Sequence, residues 1–167
     1  LYSLVKELGK TDEFKIMRQC DAHELFLYLI DTIFTEIKMK NPFEGSMKST
    51  IICTSCQHQS VTTYPFVTVS VQIPATGVHR LEDLLQEFSR EEEIDGIECE
   101  TCRKKQQCTK KLEIVPAQVV VIHLKRFQGN RKIHSPTVFS EEIVIAGDTY
   151  YLYATCNHSG DTYGGHY

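Results

Sequence analysis

The clearest pattern in the chain is an amphipathic helix, predicted from Asp21 to Lys38. Apolar positions recur there every three or four residues, at Ala22, Leu25, Phe26, Leu29, Ile30, Ile33, Phe34 and Ile37. Asp21 suits the N-cap position, because its carboxylate can accept hydrogen bonds from the free backbone N–H groups of the first turn. Asn41-Pro42 then prevents the helix from continuing.

Beyond Gly45 the hydrophobic pattern becomes that of strands. Apolar residues at 67, 69, 71 and 73 alternate with polar ones, and residues 119–124 and 150–156 each predict a buried strand. Leu81, Leu84, Leu85 and Phe88 predict a short helix, and Glu91-Glu92-Glu93 predicts a solvated turn. A helix followed by strands favours an α+β fold with an antiparallel sheet.

Composition narrows the class of protein. The 167 residues suffice for one domain or for a few lobes that share a core. The formal net charge of -4 argues against a nucleic-acid partner, which usually requires a basic face. The sequence shows no apolar run of membrane-spanning length and no signal peptide, so we expect no membrane partner. The expected location is the cytoplasm, the nucleus or both.

Four of the seven cysteines form two Cys-x-x-Cys pairs, Cys53 with Cys56 and Cys99 with Cys102. Four thiolates satisfy tetrahedral Zn²⁺ and leave no open position, so we predict one structural zinc ion per chain. The 42 residues between the pairs exceed a usual ribbon loop, which predicts pairs at the tips of elements that travel out and back. The alternative is a set of free thiols. Outside the pairs, Cys108 and Cys156 are predicted to be small buried residues.

The chain ends in a glycine-rich segment with two histidines, His158 and His166. An imidazole titrates near neutral pH and can accept the proton of a thiol. Gly164 and Gly165 lack a Cβ, so a substrate backbone can approach closely. His158 either lines a substrate channel or lies in a turn, whereas His123, inside a predicted strand, is expected to be a hydrogen-bonded core residue.

Four motifs together resemble the ubiquitin-specific proteases, the peptidase C19 family. Gln19-Cys20-Asp21-Ala22-His23-Glu24 is similar to that family's Gln-Gln-Asp-Ala-His-Glu motif, and Val121–Phe127 resembles its palm strand. Gly165-His166-Tyr167, preceded by His158-Ser159-Gly160, resembles its histidine box. The cysteine pairs resemble its zinc-bearing fingers, and all four motifs occur in the family's order.

The resemblance implies a papain-like cysteine protease fold of class α+β, truncated at both ends. Residues 1–45 would form a partial helical thumb, 46–115 the fingers with zinc knuckles, and 116–167 a partial palm. The implied activity is thiol-dependent hydrolysis of the bond after the C-terminal glycine of ubiquitin, with ubiquitin or ubiquitinated proteins as partners. His166 would be the catalytic histidine. Contacts to ubiquitin would come from Gln19, Asp21, His158, Gly164 and Gly165.

The chain also departs from the family pattern. The family's nucleophilic cysteine precedes the Gln-x-Asp motif, but no cysteine precedes Cys20, and the Asp or Asn that orients the histidine follows Gly-His-Tyr. We therefore expect a fragment that is inactive alone. Cys20 lies at a helix N-terminus, where the macrodipole lowers a thiol pKa, but it occupies the family's second Gln position and we interpret it as a plain substitution.

Two alternative functions stay open at this point. The first is a catalytically dead module that holds ubiquitin without cutting it. The second is a zinc-dependent interaction domain unrelated to ubiquitin, which would explain the four cysteines but neither His166 nor the Gln-x-Asp motif.

Overall fold

A computed structural model describes Lys10, Thr11, Phe14 and residues 19–167. The described helices are α1 (Ala22–Ile37) and α2 (Leu81–Phe88). The described strands are β1 (Gly45–Cys53), β2 (Gln59–Phe66), β3 (Thr68–Gln72), β4 (His79–Arg80), β5 (Glu92–Cys99), β6 (Lys104–Val115), β7 (Val121–Lys125), β8 (Phe127–Gln128), β9 (Arg131–Lys132), β10 (Thr137–Val138), β11 (Glu142–Ile145), β12 (Asp148–Tyr151), β13 (Ser159–Gly160) and β14 (Gly165–His166). None of the helices in this part of the chain is long and apolar enough to cross a membrane.

The chain forms two compact units, residues 1–41 with 154–167 and residues 42–153. In the first unit, helix α1 confirms the predicted helix to within one residue. The side chain of Asp21 caps it by accepting a hydrogen bond of 2.7 Å from the backbone N–H of His23. Lys38 adopts a left-handed conformation, with φ of 53°, and ends the helix.

A four-stranded antiparallel sheet of strand order β2-β1-β6-β5 dominates the second unit. Strands β1 and β2 form one hairpin, and β5 and β6 form another. The register of β1 with β6 places Cys53 opposite Cys108, so both hairpin turns lie at the same end of the sheet. Each turn carries one Cys-x-x-Cys pair, and this matches the predicted out-and-back path.

The hydrophobic core of this second unit lies where α2 packs against β3 and β7. The predicted alternation is confirmed, because Val69 and Val71 in β3 and Ile73 just after it are at most 2% exposed. Leu84 of α2 and Ile133 complete the cluster. Strand β3, however, pairs with β7 in parallel, so the expectation of antiparallel pairing is wrong here. A parallel pair requires a long crossover, and α2 and the β5–β6 hairpin lie between these strands in the chain.

Three predicted boundaries are wrong. Glu92 and Glu93 begin strand β5 rather than form a turn, because they pair with Lys110 and Thr109 of β6. The Lys110 ammonium also lies 2.9 Å from the Glu92 carboxylate and offsets part of the clustered negative charge. The strand predicted for residues 119–124 begins at Val121. The buried strand predicted for 150–156 is instead the mostly exposed β12, which begins at Asp148 and ends at Tyr151 because it pairs only with the four residues of β11.

Candidate functional site

The structure brings the four predicted metal ligands together. The sulfur atoms of Cys53, Cys56, Cys99 and Cys102 all lie within 4.8 Å of one another. The Cys53–Cys102 and Cys56–Cys99 sulfur pairs are 3.9 and 3.6 Å apart. Four sulfurs at about 2.3 Å from a tetrahedral Zn²⁺ are separated by about 3.8 Å. The donor set and its spacing therefore fit a zinc ion.

Both cysteine turns have the same backbone geometry. The N–H of Gln57 donates to the carbonyl of Cys53 at 2.9 Å, and the N–H of Arg103 donates to that of Cys99 at 2.8 Å. Gln57 and Arg103 both adopt positive φ, 59° and 54°, which turns the chain back into the next strand. Thr54 links the β1–β2 turn to the β5–β6 hairpin, because its hydroxyl donates a hydrogen bond to the carbonyl of Gln107 at 2.8 Å.

Backbone N–H groups and neighbouring thiols shift the pKa values of the cluster in opposite directions. A hydrogen bond from the backbone N–H of Cys56 is the main cause that lowers the pKa of Cys53 to about 7. The N–H of Cys102 likewise lowers the pKa of Cys99. The pKa of Cys102 rises to about 12, first through its hydrogen bond with Cys56 and then through burial. Several thiolates this close repel one another, and a divalent cation relieves that repulsion.

An apolar shell packs against the cysteine cluster. Ile51, Ile94 and Ile97 contact it, together with Cys108, which is 1% exposed and confirms its predicted burial. The corresponding prediction for Cys156 is wrong, since that thiol is exposed. It follows β12, after which the chain leaves the strand and its side chains face solvent.

The other predicted site residues meet in the unit formed by residues 1–41 and 154–167. The hydroxyl of Tyr167 lies 3.4 Å from the Asp21 carboxylate at the start of α1. The imidazole of His158 packs on the Tyr167 ring, with centroids 4.8 Å apart. Burial, followed by the charge of Asp21, raises the pKa of the Tyr167 phenol, so this group stays protonated and can donate. Sequence reasoning did not select Tyr167 as a site residue, although it directly follows His166.

The two glycines before His166 have close neighbours. A Cβ at Gly164 would lie 3.2 Å from the side-chain amide of Gln19. Gln19, a predicted ubiquitin contact, therefore lies against the histidine segment, residues 158–167. A Cβ at Gly165 would collide with the imidazole of His158 and the carbonyl oxygen of Ser159. His158, which directly precedes β13, therefore packs against Gly165 of β14, and space for a side chain at 165 is lacking.

His166 lies in β14, opposite Ser159 in β13, and its side chain is exposed. An exposed imidazole on a strand beside two glycines can exchange protons with a bound thiol or with solvent. His123 is instead part of the core sheet of the other unit. Its Nδ1 lies 3.1 Å from the hydroxyl of Ser70 on the paired strand, as predicted for a hydrogen-bonded core histidine.

A family model described as ubiquitin carboxyl-terminal hydrolase matches residues 2–167. This match covers nearly the whole chain, and it agrees with the α+β fold and with the four-cysteine cluster at the hairpin tips. The chain belongs to the ubiquitin carboxyl-terminal hydrolase family.

Curated relatives and solved structures of the family resemble the chain over part of their own length. Ubiquitin carboxyl-terminal hydrolase Usp2 of Drosophila melanogaster is 38% identical over 146 residues, which cover 77% of this chain and 16% of the relative. Human ubiquitin carboxyl-terminal hydrolase 21 is 34% identical over 151 residues, 78% of this chain and 27% of the relative. The SAGA Ubp8/Sgf11/Sus1/Sgf73 DUB module bound to ubiquitin aldehyde matches with a TM-score of 0.84 and 25% identity, over 99% of this chain and 44% of that one. The chain thus spans less than half the length of these proteins.

Proposed function

We propose that this chain is part of a cysteine-type deubiquitinase that cleaves the bond after the C-terminal glycine of ubiquitin. The observation that carries the proposal is the meeting of Gln19 and Asp21 with the histidine segment 158–167 in one compact unit. Family membership supports the reaction class, and a DUB module bound to ubiquitin aldehyde is among the similar structures.

In this proposal His166 acts as the general base that removes the proton of the attacking thiol, and later returns a proton to the leaving amine. Gly164 and Gly165 allow Gln19 and His158, two of the proposed contacts to the extended ubiquitin tail, to pack directly against the strand that carries His166, because no Cβ projects there. The tail carries arginines, so the Asp21 carboxylate can accept charge-assisted hydrogen bonds from it. We assign no nucleophile among the cysteines of this chain.

The cysteine cluster is proposed to bind one structural zinc ion through Cys53, Cys56, Cys99 and Cys102. The sulfur spacing and the matched turns support this assignment. When bound, the ion would cross-link the two hairpin tips and offset part of the negative charge of the thiolates. The backbone N–H groups directed at Cys53 and Cys99 favour the thiolate form that a metal requires.

The test is turnover of a fluorogenic ubiquitin C-terminal amide by the protein at its natural full length. We expect hydrolysis that His166→Ala abolishes and that the control His134→Ala, an exposed histidine of the other unit, leaves unchanged. Cys20→Ser should also leave turnover unchanged. Undiminished turnover by His166→Ala would refute the assigned base, and loss of turnover in Cys20→Ser would make Cys20 the nucleophile.

A second candidate is a module that binds ubiquitin without cutting it. The specific observation in its favour is Cys20, which stands where the family motif has its second Gln. Titration of ubiquitin separates the two functions, because this module would bind ubiquitin with an affinity independent of His166 and show no turnover.

A further inference from the structure

We propose that Tyr167 is a positioning residue, whose hydroxyl and ring fix the Asp21 carboxylate for a cationic partner tail; this rests on the proposed function. The two residues lie 146 positions apart in the chain, yet the Tyr167 hydroxyl donates to Asp21 Oδ1 at 3.4 Å. The backbone N–H of His23 donates to the same oxygen at 2.7 Å. Because these two donors both bind Oδ1, they restrict the orientation of the carboxylate through this one oxygen.

The Tyr167 hydroxyl contact is longer than the usual 2.7–2.8 Å for O–H···O bonds, so the ring must be held by other means. His158 supplies that support, since its imidazole packs on the ring at 4.8 Å and an interplanar angle of 49°. His158 is itself packed against Gly165, where a Cβ would collide with it. A continuous set of contacts therefore runs from Gly165 through His158 and Tyr167 to Asp21.

This arrangement differs from simple helix capping. The cap requires only the Asp21–His23 hydrogen bond, which local sequence provides. Tyr167 adds a second, long-range donor that restricts the rotation of the carboxylate. A carboxylate held in one orientation loses less conformational entropy when it binds a guanidinium group, so its affinity for such a ligand rises. The ligand class is thus a peptide segment with arginine side chains.

A double-mutant cycle on ubiquitin affinity tests the proposal, using the full-length protein and the variants Tyr167→Phe, Asp21→Asn and their combination. Phenylalanine keeps the ring and removes only the hydroxyl. We expect Tyr167→Phe to weaken ubiquitin binding about three- to tenfold in the Asp21 background, and to have no effect in the Asp21→Asn background. Tyr163→Phe is the matched control, because that tyrosine lies in the turn between β13 and β14 and is 90% exposed.

The melting temperature of each variant is measured alongside its affinity. Weaker binding by Tyr167→Phe with an unchanged melting temperature, together with the coupling to Asp21, supports a positioning role. Equal affinity of wild type and Tyr167→Phe, or additive effects in the cycle, would overturn the inference while the proposed function stands. Absence of ubiquitin binding by the wild type would overturn the proposed function and this inference with it.

Discussion

The sulfur atoms of Cys56 and Cys99 lie 3.6 Å apart, although 43 positions separate the two residues in the chain. The contact joins the turns of two different hairpins, and local backbone structure cannot hold these turns together. Strands β1 and β6 pair along their length and bring the turns to the same end of the sheet. A metal ion bound by these sulfurs would stabilise the close approach of the two turns, which the pairing of β1 with β6 already brings about.

The first prediction concerns zinc. Freshly purified protein should contain one zinc ion per chain, because four thiolates form a closed tetrahedral site. Cys99→Ser should lose the ion and unfold the hairpin tips, since structural zinc contributes on the order of 10 kcal/mol in small peptides. The strands β3 and β7 should persist. Elemental analysis and amide hydrogen exchange measure both effects.

Cys156→Ser is the matched control for this prediction, because Cys156 is exposed and lies in the other compact unit. It should keep the full zinc content. Unchelated wild-type protein that contains no zinc would rule out the assigned site.

The second prediction separates the two roles of Asp21. Asparagine caps helices nearly as well as aspartate, so Asp21→Asn should leave the melting temperature almost unchanged. Its ubiquitin affinity should nevertheless fall, by about 1–3 kcal/mol, because an amide cannot form a charge-assisted bond to a cationic tail. Isothermal titration and thermal unfolding provide the two readouts. Equal affinities would leave Asp21 with the capping role alone.

The third prediction concerns the closely packed glycine in β14. Gly165→Ala should destabilise its unit by about 1–3 kcal/mol, because the new methyl group collides with the His158 ring and the Ser159 carbonyl. Gly164→Ala is the matched comparison. Its methyl group meets only the flexible amide of Gln19, at 3.2 Å, so the expected cost stays below about 1 kcal/mol.

Urea unfolding measures both glycine variants, and the combination Gly165→Ala with His158→Ala should recover part of the lost stability. Equal stabilities of the two single variants would contradict the packing described for His158.

The fourth prediction concerns Arg126, which the sequence did not single out. Its guanidinium donates to the carbonyl oxygens of Ile133 and Ser135 and to the hydroxyl of Thr137, at 3.2, 2.9 and 3.3 Å. These bonds hold residues 133–137 against Arg126, which directly follows β7. Lysine cannot reproduce the planar set of donors, so Arg126→Lys should lower the free energy of unfolding by about 2–4 kcal/mol.

The control for Arg126 is Arg131→Lys, a substitution at an exposed position of the same segment. It should change the free energy of unfolding by less than about 0.5 kcal/mol. Chemical denaturation that gives equal values for both variants would show that the three bonds contribute no net stability.

The sequence determined features that depend on local spacing. The period of the apolar residues specified α1, and the carboxylate of Asp21 specified its start, because capping involves groups only two residues apart. The alternation around Val69 and Val71 specified a strand with one buried face. The two Cys-x-x-Cys pairs identified the ligand set, since metal chemistry restricts both the residue type and the spacing.

Only the tertiary structure decided which distant residues meet. The parallel pairing of β3 with β7 depends on a crossover through α2 and the second hairpin, and an alternation of side chains does not encode strand direction. The strand at Glu92 depends on pairing with β6, which is distant from any local pattern around the three glutamates. The contact of Tyr167 with Asp21 likewise joins residues that lie 146 positions apart, and packing of His158 rather than any local pattern holds that ring in place.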